Sequence, residues 1–317
     1  MRAVWLREFG GPGALVPGEA PDPVPAEGQA LIGVEFVNIT FVETQMRSGR
    51  GPAPVRLEPP VIPGNGVGGV VTAVGGGVDE ALVGRRVVSG TGGTGAYAEQ
   101  VAVDAAGLFE VPEGLALDDA VALLADGRTA MMMLRAADPR PGERVLVEAA
   151  AGGVGTLLVQ LVKARGATVV AAAGGAHKTE IAMRLGADES ADYREPGWAD
   201  KAGDVDVVFD GIGGDVAREA FGLLRGGGRM VSFGLASGRW ADITEDEAAG
   251  RGVTLLQPQA TPAQLREYTV SALEEAAHGR LMPVIGQRFP LGGAADAHAA
   301  IESRSTVGKT LLEVRRA

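Results

Sequence analysis

The chain has no cysteine and only three histidines, His177, His278 and His298. Without cysteine there is no disulfide, no thiolate nucleophile and no cysteine-ligated zinc site. The histidines are too few and too scattered to suggest a metal cluster. Aromatic residues are scarce, at 4% of 317 residues. No apolar run has the length of a membrane span. The first stretch, MRAVWLREFGGPG, is interrupted by Arg7 and Glu8, so it lacks the continuous apolar core of a secretion signal. Positive charge is also short: 29 Lys plus Arg against 40 Asp plus Glu give a net charge of −11. That balance argues against nucleic acid or an anionic membrane as the partner. A hydrophobic content of 46% is too high for disorder, so a cytoplasmic globular protein is expected.

Glycine is abundant, with 49 residues, and its placement carries the reading. Up to about residue 120, strand-like runs such as QALIGVEFV (29–37), GGVVTAVG (68–75), GRRVVSG (84–90) and AYAEQVAV (96–103) alternate with Gly/Pro turns. This spacing predicts a compact β-rich unit. Beyond it, short apolar strands alternate with helical patterns: ERVLVEAA (143–150), ATVVAAAG (167–174), DVDVVFDG (204–211), GGRMVSFG (227–234) and GVTLLQ (252–257). That rhythm predicts a doubly wound parallel sheet over residues 121–263, covered on both faces. Thr261-Pro262-Ala263-Gln264 is a helix start with a capping box. The last segments break the rhythm, and residues 264–317 are expected to rejoin 1–120 in the first domain. The fold class is therefore α/β with two domains.

The sharpest local signal is Ala149-Ala150-Ala151-Gly152-Gly153-Val154-Gly155, between a predicted strand and a predicted helix. Gly152 removes a side chain where a backbone must approach a pyrophosphate. The helix N-terminus offers free N–H groups, and Gly155 lets the helix pack closely on the sheet. Ala150 stands where the first glycine of a dinucleotide fingerprint is usual, so a ligand-free βα turn is the competing explanation. The next strand ends in Gly174 and Gly175 with no acid to accept from a ribose 2′-hydroxyl, and Lys178 follows. A missing acid beside a cation favours NADPH over NADH.

These residues resemble a family. FVETQMRSG (41–49), VIPGNGVGGVVTAVG (61–75), GAYAEQVAV (95–103), LLADGRTA (123–130), AAAGGVGTLLVQLVKARGATVV (149–170), FDGIGG (209–214), GGRMVSFGLASG (227–238) and RLMPVIGQRFPL (280–291) are collinear over nearly the whole chain. The chain resembles the zinc-free medium-chain dehydrogenase/reductases of the NADPH:quinone oxidoreductase type. The resemblance implies a GroES-like catalytic domain from both chain ends, a Rossmann domain between them, and a homodimer formed through the Rossmann sheet edge. It implies hydride transfer from NADPH to a small hydrophobic quinone or an α,β-unsaturated carbonyl. Carried over residue by residue, the cofactor contacts fall on Thr129, Gly152, Gly153, Val154, Gly155, Gly174, Lys178, Tyr193, Phe233, Gly234 and Lys309.

The chain departs from the family in places. Thr40 falls where Asn of an N-x-x-D segment is frequent, with Asn38 two residues away. Gly175 replaces a usual Ser or Thr, and Asp126 a common Gln. Gly64-Asn65-Gly66 stands where zinc-dependent relatives have Gly-His-Glu, so no metal ligand set is expected. Without a metal, hydroxyl groups must stabilise the oxygen that gains charge, and Thr40 and Thr129 are the candidates. Each has a plain alternative: Thr40 as a buried strand residue, Thr129 as a helix cap. The Met131–Leu134 run reads as core packing rather than a substrate wall. No Tyr-x-x-x-Lys pair and no G-x-S-x-G elbow are present, against short-chain reductase and hydrolase chemistry. An enoyl-thioester reductase of the same fold and an NADPH-binding sensor or structural protein with little activity remain as alternatives.

Overall fold

A computed structural model describes residues 1–51 and 57–314. The chain divides into two compact units, Met1–Ala125 with Leu273–Ala317, and Asp126–Ala272. Both boundaries lie later than the expected 120 and 263, because each falls inside a helix, Leu117–Ala137 and Pro262–Ala277.

In the first unit the strand Gln29–Ile39 is the hub of a seven-stranded sheet. It pairs antiparallel with Gly66–Val74, Gln100–Asp104 and Lys309–Glu313. The C-terminal return is literal: Thr310 sits opposite Ile39. Val34, Val37, Val67, Val87 and Leu312 are sealed in the core. β-branched side chains on this pleated surface lose little rotamer freedom, which suits them to it. The hub strand stops at Thr40, and the helix Phe41–Arg47 begins directly after it. Glu43 Oε2 accepts from the Thr40 N–H at 2.6 Å and lies 2.8 Å from the Thr40 hydroxyl. This holds the first helical turn at the end of the strand.

The second unit is a six-stranded sheet in the spatial order Glu189–Asp192, Thr168–Ala173, Arg144–Glu148, Val205–Asp210, Leu224–Ser232, Thr254–Leu256. Every neighbouring pair is parallel. Chain order therefore reverses between Arg144–Glu148 and Val205–Asp210, and the loops leaving these two strands diverge to opposite sides. Leu146, Val170 and Val208 fill the core against Ala217, Phe221 and Trp198. The expected strand rhythm is present throughout. The short strand Glu189–Asp192 was not anticipated, because only Ala191 of its four residues is buried. Thr261 caps the helix Pro262–Ala277, donating its N–H to Gln264 at 2.9 Å and accepting from the Gln264 N–H at 3.3 Å. The acidic run Glu245-Asp246-Glu247 opens a helix capped by Thr244. Acids there face the positive end of the helix dipole.

Candidate functional site

The glycine turn lies at the carboxyl end of Arg144–Glu148 and opens the helix Gly153–Ala164. Its three glycines do different work. A side chain on Gly155 would overlap the Ala149 carbonyl oxygen and the Ala150 backbone, so Gly155 lets helix and sheet touch. A side chain on Gly153 would overlap the Asp126 carboxylate, so that position is filled by the protein itself. Gly152 has φ −84°, open to any residue, and a Cβ there would meet only the Ala149 oxygen, at 3.2 Å. Nothing within the chain demands a glycine at 152. Its smallness keeps space open in front of the free N–H groups of a helix, which is where a pyrophosphate binds.

The next strand, Thr168–Ala173, leads into Gly174 and Gly175. A Cβ on Gly174 would come 2.9 Å from the Tyr193 hydroxyl. Gly175 has φ +103°, a conformation that disfavours side chains, and a Cβ there would overlap the Arg194 guanidinium. Arg194 is held by Asp192, with 3.0 Å between its Nη2 and Oδ2. Lys178 stands half-buried in the first turn of the helix Ala176–Arg184. Tyr193 and Arg194 thus come to the rim where Gly174, Gly175 and Lys178 were expected to meet a 2′-phosphate. Arg194 was missed from sequence. The only signal was its place next to Tyr193, whereas its reach over position 175 depends on the absence of a side chain there.

Two buried acids lie where chain order reverses. Asp210 accepts from the Ile212 and Gly213 N–H groups at 2.9 and 2.7 Å and from the Ser232 hydroxyl at 2.7 Å. It fixes the loop that leaves its strand. Gly211, in that loop, and Gly234 are in close contact, and Gly211 also packs against the Phe233 ring. Glu148 ends the adjacent strand with both oxygens sealed from solvent. Burial, and then the neighbouring Asp210 carboxylate, push its carboxyl well above the usual range. Sequence inspection missed both acids, which read as ordinary strand ends.

Beside this rim is a cavity of about 810 Å3 lined by Thr129, Met132, Phe233, Trp240, Ile243 and Gln257, among others. Thr129 lies in the middle of the helix Leu117–Ala137, so the capping alternative for it is wrong. The helical period places Met132 and Met133 on the same face as Thr129, lining the cavity, while Leu134 points into the core. The core-packing reading of Met131–Leu134 therefore holds only in part.

The first unit carries the remaining candidates. Thr40 is half-buried with its hydroxyl on Glu43. Asn38 is 1% exposed, and both ends of its amide are without a partner. Lys309 is 3% exposed and lies near enough to Glu43 for its charge to favour the carboxylate. Among the described residues, no three His, Asp or Glu stand together as metal ligands would.

A β-rich unit rebuilt from both chain ends, with a separate parallel sheet that reverses at a glycine turn, defines a medium-chain dehydrogenase/reductase. Residues 26–113 match the alcohol dehydrogenase GroES-like domain and residues 185–312 match a zinc-binding dehydrogenase domain. The chain is 37% identical over 302 residues to a probable quinone oxidoreductase of Schizosaccharomyces pombe, covering 92% of this chain and 90% of that one. It is 31% identical over 327 residues to a 2-haloacrylate reductase of a Burkholderia species, covering 98% of each. The crystal structure of Escherichia coli quinone oxidoreductase complexed with NADPH has a TM-score of 0.89 at 30% identity, covering 99% of this chain and all of that one. The chain belongs to the quinone oxidoreductase family of medium-chain dehydrogenase/reductases.

The residues present fit a dinucleotide: an unfilled approach at Gly152, free N–H groups behind it, Tyr193 against Gly174, Arg194 against Gly175, and Lys178 in the first turn of the next helix. Gly152→Val should leave the unfolding transition in place and weaken NADPH binding at least tenfold, read by fluorescence titration. Unchanged affinity in the folded variant would refute the assigned turn.

Glu148 gives a pH prediction. The unfolded chain loses this proton at about pH 4.3, while the folded chain keeps it to higher pH. Stability is therefore lost as pH climbs through that window. Glu148→Gln removes the loss. Its margin over the wild type in urea melts should grow as pH rises above about 4. The growth is about 1.4 kcal/mol for each pH unit over which only the unfolded chain is ionised. A margin independent of pH would show that Glu148 ionises freely in the folded protein.

Proposed function

We propose that the protein is an NADPH-dependent oxidoreductase that reduces a quinone or an α,β-unsaturated carbonyl without a metal ion. The observation that carries the cofactor assignment is Tyr193 against the side-chain-free Gly174 and the Arg194 guanidinium against Gly175, with Lys178 in the first turn of the helix that follows; the acid at this rim, Asp192, is paired with Arg194. Bound NADPH supplies the hydride. The substrate class rests on the relatives' names, which cover quinones and a halogenated acrylate. It agrees with the apolar lining and methionines of the cavity beside Thr129. Gly152, Gly153, Val154 and Gly155 hold the pyrophosphate, Phe233 and Gly234 flank the ring end, and Thr129 and Thr40 serve the substrate oxygen. Lys309 is a further cofactor contact.

The absence of cysteine and the Gly64-Asn65-Gly66 sequence support metal independence. No helix among the described residues is long and apolar enough to cross a membrane. We assign the protein to the cytoplasm as a homodimer. The strand Thr254–Leu256, which lies at the edge of the parallel sheet and pairs on one side only, with Leu224–Ser232, supports the dimer.

The test is NADPH oxidation against a panel of quinones, enones, 2-haloacrylates and enoyl thioesters, with NADH and exhaustive chelation as controls. Turnover with quinones or enones that chelation leaves intact is expected. Loss restored by added zinc would sink metal independence. Lys178→Ala and Arg194→Ala should each weaken NADPH while leaving NADH nearly unchanged. A cation on a phosphate in a partly open site contributes on the order of 1–3 kcal/mol, roughly 5- to 150-fold. Arg194 belongs at the low end, because it is 62% exposed and already paired with Asp192. Equal loss for both cofactors would show that these residues do not read the 2′-phosphate.

A further inference from the structure

A chain of hydrogen bonds runs inward from Thr40 through the first unit. The Thr40 hydroxyl and Glu43 Oε2 are 2.8 Å apart, Tyr97 donates to Glu43 Oε1 at 3.2 Å, and the Tyr97 hydroxyl is 2.8 Å from His298 Nε2. Glu43, Tyr97 and His298 are almost wholly buried, at 4%, 0% and 1% exposed. Thr40 alone is partly open. The Tyr97 and His298 rings meet edge to face, with centroids 5.9 Å apart, so neither can turn away. With the His298 proton on Nε2, His298 donates to Tyr97 and Tyr97 to Glu43. Nδ1 is then a bare acceptor, as its lack of any partner requires.

We propose that Glu43 is the proton reservoir for reduction and discharges through the Thr40 hydroxyl. The inference rests on the functional reading above, in which Thr40 meets the substrate oxygen. Thr40 is the catalytic residue in this scheme, and Glu43 and Tyr97 are positioning residues that act through it. Reduction adds a hydride to substrate carbon and leaves charge on oxygen. The Thr40 O–H bond breaks as its proton bonds that oxygen, and the Glu43 carboxyl proton forms a new O–H bond on Thr40. Glu43 is left as a carboxylate and is reprotonated from solvent through Thr40. The net uptake is one hydride and one proton.

The other members of the chain do not qualify as the reservoir. His298 is held neutral, lowered to about 3 by burial and by Arg47, and the Tyr97 hydroxyl is pushed well above its usual value by burial and Glu43. Glu43 is raised by burial, and its carboxylate form is then favoured by Thr40, Lys309 and Tyr97. Those three make it able to release the proton. Arg47, which faces Tyr97 and His298, is itself neutralised by Glu302 on the helix Ala294–Glu302.

The scheme predicts a sign. Turnover falls as pH rises through the Glu43 value, above the ordinary carboxylate range. Glu43→Gln keeps an acceptor for the Thr40 N–H but carries no transferable proton. It should lower kcat about a hundredfold and abolish that fall, with NADPH binding retained. Tyr97→Phe removes a donor to the carboxylate, so the fall should move to higher pH. Infrared difference spectra of the protein without substrate give a second readout. A carboxylic-acid carbonyl band that persists above the ordinary carboxylate range should be present in the wild type and missing in Glu43→Gln. No band, or a pH profile unmoved in both variants of an active enzyme, overturns the reservoir alone. A wild type inactive on every quinone and enone overturns the functional reading, and the reservoir with it.

Discussion

At the carboxyl end of the parallel sheet the backbone has no room for side chains, and the second unit is arranged around that shortage. Gly155 rests on the Ala149 carbonyl, while Gly234 and the Phe233 ring close on Gly211. These contacts draw the loops together where chain order reverses between Arg144–Glu148 and Val205–Asp210. Free helix N–H groups and a narrow approach then coincide. A dinucleotide requires both, since its phosphates need donors and its long body needs backbone that comes close.

Both units place a carboxyl group in their interior without a salt bridge to it. Asp210 compensates with two backbone N–H groups and a serine hydroxyl, while its neighbour Glu148 is kept from ionising. Glu43 has a backbone N–H, two hydroxyls and the nearby Lys309 charge. A chain with a net charge of −11 has many acids to leave on its surface. Those it buries are wired to a loop or a helix start within their own unit, where desolvation costs most.

The strands and their order were legible because a parallel sheet covered on both faces leaves continuous apolar runs, and ERVLVEAA and DVDVVFDG show that pattern. The close helix–sheet packing at Gly155 was legible because its local context suffices. The helix Phe41–Arg47 was not, since it starts where the apolar hub strand ends, with only the Thr40–Glu43 spacing to mark it. The capping alternative for Thr129 came from the same source: a long helix with small residues inside, DGRTA, looks broken in sequence. Arg194, Glu148 and Asp210 were invisible as site residues because their significance lies in what stands opposite, from strands far away in the chain. The Tyr97–His298 contact, joining residues from the two arms of the first unit, lies beyond any local pattern.

The backbone at position 175 settles which loop can grip a phosphate with the least strain. With φ at +103°, a hydroxyl-bearing side chain there is strained whatever space surrounds it. The Arg194 guanidinium beside it is the exposed end of a flexible side chain and can shift to make room. A hydroxyl from the first loop and a guanidinium from the second therefore trade off through backbone strain, and the second is the one this backbone favours.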